Sequence, residues 1–284
     1  MLPAIGSAGA AGYARALRLL SAGDFREGWP AYEARIGLAL TNIQRPPLPF
    51  PEWRGEDLAG KRLLVWPEQG LGDKIMFARF IPRIAAGEIV VLCEPALERL
   101  FRANLPARVI AATGRTEFPD PDAWVLYGSI PGKLGAEAIP SEPYLRAAPQ
   151  PRLAKGARVG VCTRGAPIHP NDLNRSLPPD QAARLLALPK AISLHVDDTR
   201  ARDMAETAGL IAALDLVITV DTAVAHLAGA LGKPVWILLP HLGRDWRWGA
   251  EGESSAWYPS ARLFRQGPSE PWSAVLDRVL AAAR

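Results

Sequence analysis

Residues 216–238 read LVITVDTAVAHLAGALGKPVWIL, and this stretch decides the fold. The apolar run Leu216–Val220 is short and rich in β-branched residues, which predicts a buried strand. Small residues dominate Thr222–Leu231, which we predict to be helical, and Gly-Lys-Pro then leads into a second predicted strand, Val235–Leu239. Two continuous apolar strands joined by a helix are typical of a parallel sheet that helices cover on both faces.

The same alternation extends over most of the 284-residue chain. The further predicted strands are Lys61–Trp66, Ile89–Cys93, Val109–Ala111, Trp124–Tyr127, Arg158–Thr163 and Ile192–Val196. The further predicted helices are Asp73–Ala86, Pro95–Asn104, Pro179–Leu188, Met204–Leu214 and Trp272–Ala283. Alternating strands and helices predict an α/β fold built from βαβ units.

A Pro-Gln-Pro break at 149–151 divides this alternation into two small units. We therefore predict one Rossmann-like domain over 61–150, a second over 151–268 and a final helix over 269–284. The ligand site of such folds lies at the carboxyl ends of the strands. With two domains, we expect it in the cleft between them.

The chain before these domains has a different pattern. Apolar residues share one helical face before and after a Ser-Ala-Gly-Asp break at 21–24, which predicts a helical hairpin within residues 1–45. Pro30 fits this hairpin if it lies in the first turn of the second helix. Residues 46–60 are rich in proline and predict an extended linker without regular structure.

Composition excludes several classes of protein. The net charge is +4, and no run of Lys or Arg occurs, so we predict no nucleic-acid partner. Cys93 and Cys162 are far apart, which allows neither a disulfide framework nor a zinc site and fits a cytoplasmic protein. We find no signal-peptide pattern and no uncharged apolar run long enough to span a membrane.

Polar residues interrupt the apolar stretch quoted first. Asp221 and Thr222 follow a predicted strand, and the amides of Thr222, Ala223 and Val224 are expected at the start of the next helix, where they are free to bind a ligand. His226 lies one helical turn further on, on the face of Thr222. A capping role for Asp221 and a hydrogen-bonded core position for His226 are the structural alternatives.

A glycine-containing turn, EQGLGD at 68–73, follows the first predicted strand. Gly70 and Gly72 permit a tight turn beside Gln69, with exposed amides at a helix start. Asp73 is expected as the N-cap of that helix. The same carboxylate at the strand's carboxyl end could act as a general base, and the two roles are compatible.

A third candidate segment, GVCTRGAPIHPNDLNRS at 160–176, follows the first strand of the second domain. Its hydrogen-bond donors are Thr163, Arg164, His169, Asn171, Asn174 and Arg175. Such a loop at a strand end could clamp a phosphate, although an exposed polar loop has the same composition.

Two weaker signals are interpreted structurally. Asp120 and Asp122 match a metal-binding DxD pattern, but their context, FPDPDAW, is typical of a turn. The aromatic stretches DWRW at 245–248 and WYP at 257–259 could line a pocket, and we favour a role in locking the C-terminal segment.

Three motifs, in order along the chain, carry a resemblance to a known group. They are EQGLGDKIMFARFIP, VDTAVAHLAGALGKPVWILLP followed by DWRW, and WYPSARLFRQ. Together they resemble bacterial tetratricopeptide-linked glycosyltransferases, which are similar to lipopolysaccharide heptosyltransferases and, more distantly, to protein O-GlcNAc transferases. The resemblance covers residues 15–284.

The resemblance implies the GT-B fold, in which two Rossmann-like domains with parallel sheets flank a central cleft. The hairpin within 1–45 resembles one tetratricopeptide unit. The domain over 61–150 would bind the acceptor, and the domain over 151–268 would bind the donor. The implied reaction transfers a sugar from a nucleotide-sugar to an acceptor hydroxyl with inversion and without a metal or other cofactor.

Site residues follow from the same resemblance. Asp73 matches the proposed general base, the junction from Asp221 to His226 matches the donor-contacting strand–helix junction, and the 160–176 loop matches the phosphate side. That loop departs from its relatives, which usually have Trp where Thr163 stands and Ser where Arg164 stands.

Two alternatives remain. The altered loop and the short segment after His195 favour a non-catalytic, GT-B-derived protein-interaction module. The other alternative is an epimerase-like enzyme of the same fold that acts on nucleotide-sugars. The predicted partners of a transferase are a nucleotide-sugar donor and an acceptor, with a protein such as flagellin as one acceptor class.

Overall fold

The computed structural model describes residues 8–154 and 156–283, and the chain divides into two compact units between Pro140 and Ser141. Each unit contains one parallel sheet with helices. The predicted α/β class, with two Rossmann-like units after a helical hairpin, is confirmed.

The first unit begins with the hairpin and continues with the first sheet. Its strands are β1 (Leu58–Trp66), β2 (Ala86–Cys93), β3 (Arg108–Ala111) and β4 (Ala123–Leu126). Its α-helices are α1 (Ala8–Ser21), α2 (Phe25–Tyr32), α3 (Leu71–Phe77), α4 (Pro95–Asn104) and α5 (Ile130–Lys133). Short 3-10 helices span Glu33–Arg35, Ala78–Arg83 and Tyr127–Ser129.

The first sheet has the strand order β3-β2-β1-β4, and its pairs are parallel. Leu63, Leu64 and Val65 of β1 are fully buried, because strands lie on both sides of β1 and the sheet is covered. The chain turns from β1 to β2 on one side and later to β4 on the other. The carboxyl ends of β1 and β4 therefore form the topological switch point of this unit.

Pro30 lies inside the second helix of the hairpin, beyond the first turn in which a proline would fit a helix. The helix begins at Phe25 because the Asp24 carboxylate caps it, accepting a hydrogen bond from the Glu27 amide at 3.2 Å. The proline interrupts the helical hydrogen bonds, and α2 ends two residues later, at Tyr32. Trp29 and Tyr32 are buried, and the Trp29 ring packs edge-on against Phe77 and Phe80, which holds this short helix in place.

The segment predicted as a linker is not a free connection. The Trp53 amide donates to the Trp124 carbonyl at 2.8 Å, and the Trp124 amide donates to the Pro51 carbonyl at 3.0 Å. Leu48 and Phe50 pack against the buried cluster around Trp124, and β1 already begins at Leu58. The prolines of this segment favour an extended conformation, as predicted. They do not prevent the neighbouring residues from pairing along a sheet edge.

The long helix predicted at Asp73–Ala86 is shorter and starts earlier. Helix α3 spans Leu71–Phe77 and passes into the 3-10 helix Ala78–Arg83, which contains Pro82. A proline disfavours α conformation in the residue before it and removes a backbone donor, so the regular helix ends ahead of it.

The second unit carries the larger sheet. Its strands are β5 (Val159–Cys162), β6 (Ala191–Ser193), β7 (Leu216–Val220), β8 (Val235–Leu239) and β9 (Ala261–Arg265). Its α-helices are α6 (Pro151–Ala154), α7 (Asp172–Arg175), α8 (Pro179–Leu186), α9 (Val196–Thr199), α10 (Met204–Ala212), α11 (Ala223–Ala230) and α12 (Trp272–Ala282). A 3-10 helix spans Trp246–Trp248.

The strand order of the second sheet is β6-β5-β7-β8-β9, with parallel pairs throughout. Strands β7 and β8 have the predicted bounds. The predicted strand Ile192–Val196 is displaced, because His195 is the N-cap of α9 and its ring nitrogen Nδ1 accepts from the Asp197 amide. The sequence analysis did not predict strand β9, because Arg262 and Arg265 interrupt the apolar pattern of a mostly buried edge strand.

The core of the second unit joins its sheet to the last helix. Val275, Leu276 and Val279 of α12 pack with residues of β5, β7, β8 and β9. The chain enters this unit at Ser141, before the predicted domain start at 151, because the Leu145 amide donates to the Ala230 carbonyl at 3.1 Å. Among the described residues, no helix has the length and apolar character that crossing a membrane requires.

Candidate functional site

The topology of the second sheet places a switch point between β5 and β7. The two strands are neighbours, with Cys162 opposite Thr219, while β6 lies on the other side of β5. The chain leaves these strands toward opposite sides, so their carboxyl ends form a switch point, where open α/β sheets bind ligands. Asp221 and the loop after Cys162 follow these strand ends directly.

The helix that starts at this switch point has no side-chain cap from its N-cap residue. Thr222 occupies the N-cap position of α11, but its hydroxyl lies 3.2 Å from the Thr219 hydroxyl instead of capping the helix. The first amides of a helix have no acceptor within it. Ala223 and Val224 therefore present amides at the positive end of the helix dipole, beside side chains small enough for close approach.

Arg175 fastens the loop after β5 to this junction. Its Nη1 donates to the Asp221 carbonyl at 2.7 Å, and its Nε donates to Asp172 Oδ1 at 3.1 Å. The side chain is almost fully buried, and a Cβ on Gly165 would lie 2.2 Å from Arg175 Nη2. The fit explains why glycine stands at 165: a larger residue would displace the guanidinium.

The two residues at the start of this loop differ in exposure. Thr163 is buried, and its carbonyl accepts from the Leu177 amide at 2.8 Å, which closes the loop at its base. Arg164 is exposed, and its Nη2 lies 3.0 Å from His195 Nδ1 and 3.5 Å from Asp197 Oδ2. An exposed guanidinium at the carboxyl edge of the sheet is well placed to meet an anion.

Asn171 connects the loop after β5 with the loop after β8. Its Nδ2 donates to the carbonyls of Leu242 and Gly243, at 3.1 Å and 2.9 Å. Gly243 has a φ of +67°, and a Cβ there would lie 2.6 Å from the Asn171 side chain. Asn171 therefore braces the two loops that border the switch point.

The Asp221 carboxyl lies in an unusual electrostatic environment. Burial, together with the charge of Asp245, raises the pKa of Asp221 from 3.8 to about 7. The Trp248 indole and the guanidinium groups of Arg247 and Arg175 act in the opposite direction. Asp245 is itself held at the start of the Trp246–Trp248 turn, where it accepts from the Arg247 amide at 2.9 Å.

His226 lies in an aromatic cluster beneath the junction. It is 5 % exposed, its Nδ1 is 3.0 Å from the Tyr258 hydroxyl, and its ring stacks on Trp248 at 5.2 Å between centroids. Gly229 leaves room for this cluster, since a Cβ there would lie 2.4 Å from the Tyr258 ring. These contacts are those of a hydrogen-bonded core histidine, and direct contact between His226 and a ligand stays a prediction.

The glycine-containing turn lies at the carboxyl end of β1 in the first unit. Gly70, not Asp73, is the N-cap of α3, so the predicted capping position of Asp73 is wrong. Asp73 lies in the first turn and accepts from the Gly70 amide at 2.9 Å. Gln69 has a φ of +58°, and its carbonyl accepts from Lys74 Nζ at 2.7 Å.

The turn thus places the Asp73 carboxylate at a helix start, partly exposed, while Gly72 lies within the first turn of the helix. The predicted residues of the second unit, from Thr163 to His226, gather around one switch point. Gln69, Gly70, Gly72 and Asp73 form a separate group in the first unit.

Several residues of these sites were not singled out in the sequence. Trp248 and Tyr258 lie in the aromatic stretches interpreted as locking elements, and their burial agrees with that interpretation. Asp245 begins the same DWRW stretch, and an acidic residue directly before two tryptophans was the one sequence signal that could have indicated its role.

Asp122, from the DxD pattern, accepts a hydrogen bond from the Arg62 amide at 2.7 Å within a turn.

Part of the second unit matches a known protein family, and most of the chain aligns with a curated protein. Residues 201–238, which contain β7, the junction and most of β8, match the family described as glycosyltransferase family 9 (heptosyltransferase). Protein FlbA of Caulobacter vibrioides is 30 % identical over 329 residues, an alignment that covers 96 % of this chain and 54 % of FlbA. The chain thus spans about half the length of this curated relative.

One solved structure shows the fold, and a second is more distantly similar. A family 9 glycosyltransferase from Veillonella parvula DSM 2008 superposes with a TM-score of 0.55 at 12 % identity, covering 81 % of this chain and 98 % of the other. The ADP-heptose lipopolysaccharide heptosyltransferase II of E. coli has a TM-score of 0.47 at 13 % identity, with coverage of 78 % and 98 %. The Veillonella structure confirms the predicted fold class.

Proposed function

We propose that this chain is a glycosyltransferase that moves a sugar from a nucleotide-sugar to an acceptor hydroxyl. The observation that carries the proposal is the Arg175–Asp221 hydrogen bond. It joins a loop rich in hydrogen-bond donors to the start of α11, which the Thr222 side chain does not cap. This arrangement lies at the switch point of the second sheet. Its β7–α11 half lies within residues 201–238, which match glycosyltransferase family 9, and the loop that carries Arg175 precedes that match.

The second unit would bind the donor through its phosphates. The amides of Thr222, Ala223 and Val224 offer hydrogen bonds and the positive end of α11. Arg164 adds an exposed positive charge near the same strand ends. Asn171 and Arg175 would act by holding the loops, since their side chains bind backbone carbonyls.

The chemistry would follow from these groups and from Asp73. Asp73 accepts the proton of the acceptor hydroxyl as its oxygen attacks the anomeric carbon. The bond between that carbon and the phosphate oxygen breaks, and the nucleoside diphosphate leaves with the bonding electron pair. Attack opposite the leaving group inverts the anomeric centre.

Fixed donors would stabilise the leaving group. Helix amides and a guanidinium meet the charge that develops on the phosphate, so in this proposal the reaction proceeds without a metal. The acceptor remains a prediction from the resemblance: a hydroxyl group, with a protein such as flagellin as one class of carrier.

The proposal is tested by product release. The protein is incubated with each nucleotide-sugar, with and without a pool of bacterial protein acceptors, and the free nucleotide is measured, which is CMP for a CMP-sugar and a nucleoside diphosphate for the others. We expect one nucleotide-sugar to give release that depends on the acceptor. Conversion of the sugar to its epimer without any acceptor, with or without release of the nucleotide, would instead support the epimerase-like alternative.

One observation favours a second candidate, a protein-interaction module without catalysis. Ile168, Leu173 and Leu242 are 93 %, 97 % and 62 % exposed, and Asn171 ties their two loops together. Exposed apolar side chains on neighbouring loops are a feature of protein-binding surfaces. A partner protein bound by wild type and lost on I168S/L173S, with no nucleotide binding in either protein, would support this candidate.

A further inference from the structure

Arg35, at the end of the helical hairpin, is a fully buried arginine. Its Nε and Nη2 bind the two carboxylate oxygens of Glu68 at 3.0 Å and 2.7 Å. Nη2 also donates to the Ser129 hydroxyl at 2.8 Å, and Nη1 donates to Glu33 Oε1 at 2.9 Å. This bidentate pairing with a carboxylate is specific to the planar guanidinium.

Glu68 connects the arginine to both strands of the first unit's switch point. It follows the end of β1, and its Oε1 accepts from the Gly128 amide, just after β4, at 2.6 Å. A Cβ on Gly128 would lie 2.9 Å from this oxygen and 3.2 Å from Arg35 Nη2. The hairpin's guanidinium is therefore built into the strand ends from which the glycine-containing turn departs.

The charges of this cluster balance. The pKa of Glu33 is lowered despite the opposing effect of burial, because Arg35, Ser129 and Lys133 favour its charged form. Two carboxylates, Glu33 and Glu68, thus face two cations, Arg35 and Lys133. Breaking a buried pair leaves an uncompensated charge, so such clusters specify one arrangement of the chain.

The residue that follows Glu68 is conformationally strained. Gln69 adopts a φ of +58° although it is not glycine, and such conformations persist where the surroundings determine them. The Tyr32 hydroxyl, also from the hairpin, donates to Gln69 Oε1 at 3.4 Å, and Lys74 Nζ binds the Gln69 carbonyl. Contacts from the hairpin and from α3 therefore fix the turn on both sides.

We infer that Arg35 is a positioning residue, which holds the Glu68–Gly70 turn and through it the Asp73 carboxylate. This role rests on the proposed function, in which Asp73 is the base. The hairpin is then a structural part of the first unit's reactive turn. Arg35 links the hairpin to the turn within the first unit, and this link is present whichever sugar acceptor the protein uses.

Hydrogen exchange on the full chain tests this inference. Arg35→Lys keeps the charge and loses the two-pronged bond, so exchange of amides in 68–77 should rise about tenfold or more, while β2 exchanges as in wild type. The matched control is Arg15→Gln, which removes an exposed hairpin ion pair with Glu27 and should change neither segment. Unchanged exchange in 68–77, or an equal rise in β2, would overturn the inference.

Two further measurements complete the test. Should Arg35→Lys not fold, Tyr32→Phe removes only the hydroxyl that binds Gln69 and should still raise exchange at 68–77 selectively. Once the transferase reaction is established, Arg35→Lys should lower kcat and leave the KM for the nucleotide-sugar donor unchanged. An unaltered kcat, despite faster hydrogen exchange in 68–77, would contradict the positioning of Asp73 by Arg35. If the wild type transfers no sugar, the proposed function fails while hydrogen exchange still decides whether Arg35 holds the turn.

Discussion

Arg175 donates a 2.7 Å hydrogen bond from Nη1 to the backbone carbonyl of Asp221, and this bond joins the loop after β5 to the end of β7. The carbonyl belongs to the residue between the strand and the N-cap of α11. Position and orientation of the first amides of α11 therefore depend on the guanidinium. Ligand binding at this edge should depend on Arg175 even if the side chain never touches the ligand.

Replacing Arg175 by Gln should weaken nucleotide-sugar binding about tenfold to a hundredfold, because the Asp221 carbonyl loses a charged donor. Isothermal titration calorimetry measures the change in Kd. Arg184→Gln is the matched control, since Arg184 forms a partly exposed pair with Asp277 on α12 and should bind the donor as wild type does. Equal affinities of Arg175→Gln and wild type would contradict the bracing role.

Gly165→Ala should reproduce the effect of Arg175→Gln without removing any polar group. The added Cβ would lie 2.2 Å from Arg175 Nη2 and 2.6 Å from Asp172 Oδ1, so the guanidinium must move away from the Asp221 carbonyl. Donor Kd is again the readout. Retained affinity in this variant would show that the loop absorbs a methyl group without losing the site.

Asp73→Asn should lower the transfer rate about 10²- to 10⁴-fold, the range typical of a general base. The amide still occupies the same position in the first turn of α3, so folding and donor affinity should change little. Steady-state kinetics with a saturating donor measures the effect. Normal turnover by the Asn variant would limit Asp73 to its bond with the Gly70 amide.

The raised pKa of Asp221 predicts a pH dependence of stability. In the folded chain this pKa rises from 3.8 to about 7, so between these values the folded state holds a proton that the unfolded state releases. The protonated Asp221 carboxyl therefore contributes its full stabilisation of the folded state below about pH 4, and this contribution is lost as the pH rises through about 7. Urea denaturation should show Asp221→Asn gaining stability relative to wild type from pH 5 to pH 8, whereas a constant difference would contradict the shift.

His226 and Tyr258 should behave as a coupled pair. His226→Phe and Tyr258→Phe each remove their shared hydrogen bond, and each should cost about 1–3 kcal/mol of stability. A double-mutant cycle should give a coupling of about 0.5–3 kcal/mol. A loss of donor affinity in His226→Phe that Tyr258→Phe does not share would support the direct donor contact that the family resemblance implies.

Much of the second unit's site was predictable from sequence. The change from apolar strand to Asp221 and Thr222 is local, and parallel topology brings such strand ends together. The role of Arg175 was only partly accessible, because its target is a backbone carbonyl 46 residues away. The Tyr258 partner of His226 was likewise unpredictable, since a hydrogen bond between distant segments leaves no periodic signal.

The first unit shows where local patterns fail. Proline at residues 30 and 82 marks helix disruption, but the resulting helix bounds depended on the Asp24 cap and on tertiary packing. Arg35 follows an amphipathic helix, and a charged residue at such a place is expected to be exposed to solvent. Its side chain is nevertheless fully buried against Glu68. Only the folded chain brings together the two charges that make this burial possible.

The most direct test of the central claim, that the second unit binds a nucleotide-sugar, is a thermal-shift screen with UDP-, GDP-, ADP-, CMP- and dTDP-sugars. A ligand at 100 times its Kd stabilises the folded state by about 2.7 kcal/mol. At roughly 2–4 °C per kcal/mol, the Tm should rise by about 5–10 °C with one nucleotide class. The same ligand should give a smaller shift with Arg175→Gln, and no shift with any of the five classes would contradict the claim.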